Sequence, residues 1–479
     1  VLISNSRRIM DVIVIGCGAA GIAAMRKLHD AGLQVLGLEA GDRIGGRILT
    51  VEFGGKPIDI GAAWCHGEKD NVVFDIANPL GLLGRSPPET NWYLLSNGEL
   101  VPEDKAGEIL KALDNELETA DKRAHKSISQ HVRSAANTND TLKKEPQLAI
   151  PFIEWYERNN HVQGQEDQKQ GKSLRCLEEF WLSEGDAFLT WKGRGYKTIL
   201  DVLMNKYPDP SKEIPLQILL NKEVENIRWG ITQLGIDPTN PMVQVKCKDG
   251  SLYAAKSVIV TMSVGVLQER HETLFYPQLP SSKVNTIKNM TMTVLDKIYV
   301  EYEKPWWPKT PSKFSLLWRD EDKAQFGENE KWVTEIYGFW TVDSHPNVLL
   351  TWIHGSGAVQ MEKKSVEEVR AGIQKLLDVV VKKRFDVSPI KDILRTQWAI
   401  NPLARGTYAY RTVALEESGQ EGGAIVLSEP LCHPNKFPVV CFAGEATSHH
   451  KHWDVHGAVE SGFREADRLI ETFKEFGFK

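Results

Sequence analysis

An α/β protein built on a buried parallel sheet is the fold class this sequence predicts, on three observations. Asp11 to Arg47 opens with a β-branched apolar run, Val12–Ile15, passes at once through Gly16-x-Gly18-x-x-Gly21, and continues through a helix-like segment, Ile22–His29, to a second apolar run, Val35–Leu38, ending in Glu39. Short apolar or alternating runs return later, at Val224–Trp229, Val243–Cys247, Ser257–Met262 and Phe437–Ala443. At 479 residues and 41% hydrophobic content, the chain can bury large cores and is past the size at which a single core keeps growing, so two domains are expected.

Each piece of the opening unit has a mechanical job. Gly16 permits a tight turn, Gly18 lets a pyrophosphate approach the backbone, and Gly21 packs helix against strand. The helix N-terminus offers free N–H groups and the positive end of its dipole to phosphates. Glu39, eighteen residues after Gly21, is placed to accept hydrogen bonds from an adenosine ribose. Strand, glycine turn, helix, strand and acid together predict dinucleotide binding, and the motif by itself leaves NAD and FAD open.

Beyond His66 the character changes. Glu103–His131 reads as one or two helices, with Ile109, Leu110, Leu113 and Leu117 as apolar positions. Asn137–Gln147 and His161–Lys172 lack periodicity and read as surface loops. Lys297–Tyr302 alternates cleanly and reads as a half-buried strand. Ser365–Phe385 reads as an amphipathic helix with Val369, Ile373, Leu376, Leu377 and Val380 as its stripe. A last helix is expected to begin near Gly457.

Composition excludes some function classes. A net charge of −6 gives no electrostatic case for nucleic acid. No apolar run approaches the roughly 20 residues of a membrane span. The six cysteines, at 17, 65, 176, 247, 432 and 441, show no CxxC and no metal spacing, so they are expected as buried thiols of an intracellular protein. No signal peptide or Ser-Lys-Leu tail is visible, so the expected location is cytoplasmic, although the chain starts at Val1 without a methionine.

Glu39-Ala40-x-x-Arg43-x-Gly45-Gly46-Arg47, Asp59-Ile60-Gly61-Ala62, TMSVGVL, LDKIYVEY, WAINPLARGTY and FAGEAT together resemble the flavin-dependent amine oxidases, over nearly the whole chain. The resemblance implies an FAD-binding Rossmann-like domain of the glutathione-reductase/amine-oxidase type, discontinuous over 1–84, 193–272 and 397–479, with an α+β substrate domain from 85–192 and 273–396. It implies FAD contacts from Gly16, Gly18, Gly21, Glu39, Arg43, Arg47, Gly61, Ala62, Trp64, Val224, Trp398, Gly444, Glu445, Gly457, Ala458 and Val459. Where monoamine oxidases carry the cysteine that tethers FAD, this chain has Thr407, which cannot form a thioether, so the flavin is expected to be noncovalent.

Lys297 looks like the family's lysine that holds a water against flavin N5, and burial on an apolar strand would pull its pKa down. Tyr408 would form one wall of the substrate slot. The opposite wall departs from the family: Asp454, preceded by Trp453, stands where relatives carry a tyrosine or a small hydroxyl residue. Asp454 either grips a substrate ammonium or pairs with His452 or His456. His66 matches a histidine of animal polyamine oxidases, and Glu178, Glu179 and Glu184 lie where acids of the family help bind distal amines.

The resemblance is strongest to the polyamine and spermine oxidases. It implies oxidation of a secondary amine of spermine, spermidine or an acetylated form, with oxygen as acceptor, to aldehyde, amine and hydrogen peroxide. The rivals are a monoamine or amino acid oxidase, a histone-lysine demethylase, and an FAD-binding scaffold that has lost catalysis. No metal is expected, and oligomeric state is open.

Overall fold

The computed structural model describes residues 9–162, 168–230, 242–419 and 422–477, so Gln163 to Asp167 of the expected loop at 161–172 lie outside the described residues. Its largest sheet has nine strands. At the centre, Met10–Ile15 runs parallel to Val35–Leu38 on one side and to Leu252–Val260 on the other, with Val12 facing both Val35 and Ser257. Gln217–Leu219 extends the parallel order beyond Val35–Leu38. On the other edge of Leu252–Val260, Pro438–Phe442 pairs in parallel and Val243–Cys247 antiparallel, at opposite ends of the strand. Val224–Trp229, Phe275–Tyr276 and Leu431–Cys432 complete the sheet.

Val12 to Ile15 are buried on both faces, which is why that run is continuous rather than alternating. Helix Ala19–Asp30 presents Ala19, Ala20, Gly21, Ala23 and Ala24 as a small buried surface. The long terminal helix Val455–Glu475 settles directly against it: a Cβ on Gly462 would sit 2.2 Å from the Ala20 carbonyl oxygen.

A second sheet orders its six strands as Ile390–Arg395, Leu295–Tyr302, His345–His354, Gly338–Val342, Lys313–Leu317 and Asn91–Leu95. Only its last pair is parallel. Helix Val366–Val379, opened by a Ser365/Glu368 capping box, covers one face and buries the expected stripe with Ile298, Val300 and Trp332.

The structure corrects three expectations. All eight residues of Leu295–Tyr302 are buried, not every second one. Ile298, Val300 and Tyr302 face the helix-covered core, while Tyr299 packs with Phe53, Ile58, Val348 and Leu350 on the other side. The alternation sorts two buried faces, so polar residues on this strand need internal partners. The expected loop at 137–147 contains helix Asp140–Lys144 and the start of helix Pro146–Asn159. Asn139 accepts from the N–H groups of Thr141 and Leu142, and Pro146 opens the next helix, so caps shape a segment too short for a stripe. Cys432 is exposed, unlike the other five cysteines. Among the described residues, no helix is long and apolar enough to cross a membrane.

Candidate active site

The site starts where strand Met10–Ile15 ends. Gly16 takes φ +94°, and Gly21 passes so close that a Cβ there would lie 2.0 Å from the Gly16 oxygen. Gly18 is different: a Cβ there would meet nothing nearer than the Gly45 oxygen at 3.8 Å. Its open side is the approach a pyrophosphate needs, at a helix N-terminus with no side-chain cap. Glu39, nearly buried, accepts from the Cys17 and Gly41 N–H groups, both at 2.8 Å, and so lies against the same turn. This cradle fits the dinucleotide end of FAD.

Arg43 turns onto its own loop, donating to the carbonyls of Ile44, Gly46 and Ile48 at 3.1, 2.8 and 3.3 Å. It therefore shapes the Gly45–Gly46 turn. Arg47 donates from Nη1 to the Thr407 carbonyl at 2.7 Å and to Glu445 at 3.0 Å. The Glu445 carboxylate also accepts from the N–H groups of Ala409 and Trp453, each at 3.3 Å. One buried acid thus joins Arg47, near the start of the chain, to Ala409 and Trp453, near its end, around a small cavity lined by Arg47, Met262, Ser263, Gly444 and Glu445. The Gly444 N–H donates to Ser461, and Gly457, with Ala458 and the fully buried Val459, opens the terminal helix. Thr407 donates its hydroxyl to the Thr293 carbonyl at 2.8 Å.

Lys297 comes from the strand whose two faces are both buried. Nζ donates to the Asp59 and Gly61 carbonyls at 2.8 and 2.7 Å, beside the Trp64 and Trp352 rings. Burial lowers its pKa to about 8, against an opposing pull from Asp59. Ala62 donates its N–H to the Arg47 carbonyl, which holds this turn against the Gly45–Arg47 loop. Neighbouring Asp296 accepts from the Thr396 hydroxyl and the Trp398 N–H, which fixes buried Trp398 beside the same strand.

Aromatic walls follow. The Tyr408 hydroxyl is 2.6 Å from His161 Nδ1, and its ring lies 5.7 Å from Trp453. Trp453 adopts φ +81°, uncommon for a bulky residue, and donates from its indole to the Ala409 carbonyl. Phe180 stacks on it at 4.5 Å, and the ammonium of Lys172 lies 3.6 Å over its ring. Burial drives His161 well below the usual imidazole range and His354 and His452 to about 3, so all three are neutral at pH 7.

His66 and Asp454 are brought together. His66 Nε2 lies 3.9 Å from Asp454, whose other oxygen is 3.8 Å from His456; no ion pair joins Asp454 to His452 among the described residues. His66 Nδ1 sits 2.5 Å from the Ala187 carbonyl and so donates to it, which aims Nε2 at the carboxylate. Burial, reinforced by Glu445, raises the Asp454 pKa to about 6 against the pull of His66.

Two of the other expected acids lie at the surface. Glu178 is exposed, and Glu184 pairs with Lys69 at the surface. The Glu179 carboxylate is forked by Arg411, at 2.8 and 3.1 Å. Val224 begins its strand, and its carbonyl accepts from Arg270. His161, Lys172 and Phe180 were not singled out from sequence. His161 and Lys172 bound a polar segment without periodicity and Phe180 follows it, and only the packing of the C-terminal part of the chain brings Tyr408 and Trp453 against them.

The family described as flavin containing amine oxidoreductase matches residues 19–470. The chain is 29% identical to the human protein named peroxisomal N(1)-acetyl-spermine/spermidine oxidase, across 96% of this chain and 95% of that one. It is 30% identical to the Bos taurus protein of the same name, across 96% and 94%. To polyamine oxidase 1 of Zea mays it is 27% identical, across 96% and 90%.

Proposed function

Because this chain belongs to the flavin containing amine oxidoreductase family, we propose that it is an FAD-dependent polyamine oxidase acting on a secondary amine of spermine, spermidine or an acetylated derivative. The C–N–H unit loses two electrons and two protons to become an imine, and oxygen becomes hydrogen peroxide. Water then splits the imine into an aldehyde and an amine. The observation that carries the reading is Lys297, a buried lysine with both its hydrogen-bonded oxygens on the Asp59–Gly61 turn, beside Trp398.

When bound, FAD supplies the two-electron acceptor, and this chain supplies position and electrostatics. The Gly16–Gly21 turn and Glu39 would hold its nucleotide end, with Arg47 bracing the Thr407 segment. Trp64, Trp398 and Lys297 belong to the flavin end in this reading. With its pKa near 8, Lys297 can hold or release a proton at Nζ close to neutrality. Tyr408 and Trp453 form apolar walls that exclude water from the reacting carbon. Asp454, oriented by His66, grips an ammonium distant from the reacting nitrogen. A carboxylate beside the reacting nitrogen would raise its pKa and oppose the loss of its proton.

The reading includes the division into an FAD unit (1–84, 193–272, 397–479) and a substrate unit (85–192, 273–396), and a cytoplasmic location without nucleic-acid or membrane partners. Steady-state peroxide production over a panel of spermine, spermidine and their acetylated forms tests the function. Peroxide from at least one supports it. Bound FAD with no peroxide from any of them points instead to a scaffold without catalysis.

A further inference from the structure

Lys172 is a charged residue of the aromatic wall that the proposed reaction leaves unused. It is 6% exposed, and among the described residues no carboxylate pairs with it and no oxygen accepts from Nζ. Its ammonium lies 3.6 Å over the Trp453 ring, which is 5.7 Å from Tyr408. The groups that feel its charge are His161, His354, His452 and the Cys176 thiol. Burial pushes the thiol up to about 11, so it too is neutral at pH 7. Carboxylates nearby are committed elsewhere: Glu179 and Glu416 to Arg411, Glu445 to Arg47. The pKa of Lys172 falls to about 8 through burial, so at pH 7 it is still mostly cationic.

In the proposed function, the substrate slot walled by Tyr408 and Trp453 is therefore electrostatically two-ended. Asp454, held beside His66, forms an end that attracts a cation. Lys172 forms an end where a cation is repelled and where, among the described residues, the ammonium has no hydrogen-bond acceptor. We propose that Lys172 is a specificity-determining residue that donates a hydrogen bond to the acyl carbonyl oxygen of an N-acylated amine and disfavours the free, charged amine at the same position. The inference rests on the proposed function and deepens it, because it assigns one residue of this chain to the choice between acylated and free polyamines. A neutral amide brings the oxygen that Nζ needs and removes the positive charge that Nζ opposes. An ammonium brings neither benefit, and two unit charges a few ångströms apart at a partly buried site cost enough to change affinity about tenfold or more.

Titration of the FAD-loaded protein, with its flavin reduced beforehand and kept anaerobic so that neither ligand turns over, with spermidine and with N1-acetylspermidine, read by calorimetry, gives the ratio of the two dissociation constants. The wild-type chain is expected to favour the acetylated form about tenfold or more. Lys172→Met, close in shape but uncharged, is expected to bring the ratio to near one, chiefly by tightening spermidine. Lys172→Arg, which keeps charge and donors, is expected to retain most of the preference, and its flavin absorbance reports whether the site has assembled. A ratio that Lys172→Met leaves unchanged overturns the inference, as does a wild-type preference for the free amine. Peroxide production with an unmoved ratio removes this inference alone. A ratio that responds to Lys172 without peroxide from any polyamine removes the proposed reaction alone. Failure of both ligands to bind removes both.

Discussion

Lys297 and Asp454 are buried groups whose titration is displaced in opposite directions relative to solution, and each gives a test at the level of one residue. Replacing Lys297 by Met is expected to leave FAD bound and to slow flavin reduction or reoxidation by roughly 10²-fold, the low end of general acid–base contributions. Stopped-flow absorbance checks both half-reactions, and wild-type rates in each would reduce Lys297 to a strand residue. Its folded pKa of about 8 lies below the roughly 10.4 of an exposed lysine, so the unfolded chain binds the extra proton between those values. The charge therefore costs stability below about pH 8 and is relieved as pH rises further, and the Met variant should melt higher at pH 7 with a margin that shrinks by pH 10.

Asp454 has the reverse sign. It titrates at about 6 in the fold and near 3.9 in an unfolded chain, so stability falls as pH rises through that window. Asp454→Asn should melt higher than wild type at pH 8, by up to about 3 kcal/mol, and gain nothing at pH 4. The same variant should weaken polyamine binding by roughly 1.5–3 kcal/mol while flavin reduction at saturation changes little. Unchanged affinity with altered stability would make Asp454 a structural partner of His66 and His456. Activity of the wild type should also rise above neutrality, because only about one in a thousand free alkylamines is uncharged at pH 7.

At the level of elements, helix Ala19–Asp30 carries both the uncapped N-terminus proposed to face the phosphates and the surface on which the terminal helix rests. Gly21 is the tightest point of its first turn, with the Gly16 oxygen where a side chain would have to go. Gly21→Val would displace the helix start from the strand end. The expected result is loss of tight FAD binding and a fall in stability of about 1–3 kcal/mol, the range for overpacking. Equilibrium dialysis and thermal melts check the two effects, and retention of FAD at wild-type affinity would contradict this account of the turn. Strand Leu295–Tyr302 makes a related point. Its placement between two buried faces forces Lys297 to find oxygens inside the protein, and it finds them on the Asp59–Gly61 turn.

For the whole molecule, the proposed cofactor cradle draws on residues from both ends of the sequence, and Glu445 with its partners already ties those ends together. A ligand that binds only the folded chain adds stability as its concentration exceeds its dissociation constant, by about 4 kcal/mol at a thousandfold excess. Stripped protein should therefore melt well below the loaded form and recover on adding FAD. Because Thr407 offers no thiol and spends its hydroxyl on Thr293, acid precipitation should leave the yellow colour in the supernatant. Flavin retained in the washed pellet would show a covalent link.

Much of this architecture was legible in local pattern. Val35–Leu38, Val224–Trp229 and Val243–Cys247 form strands at the residues where composition places them, and the glycine spacing sets the turn around Gly16. Those features depend on backbone sterics and on hydrophobic runs, which act over a few residues and so are written in order along the chain. The remainder depends on which distant segments meet. Sequence order separates Lys172 from Trp453 and His66 from Asp454 by most of the protein, and neither pair has any spacing that announces it. Glu179 reads as an available acid until Arg411 is seen to hold it, and Asp454 reads as an ordinary carboxylate until burial lifts its pKa. Charge, desolvation and pairing are properties of a three-dimensional neighbourhood, and only the folded chain brings those neighbours together.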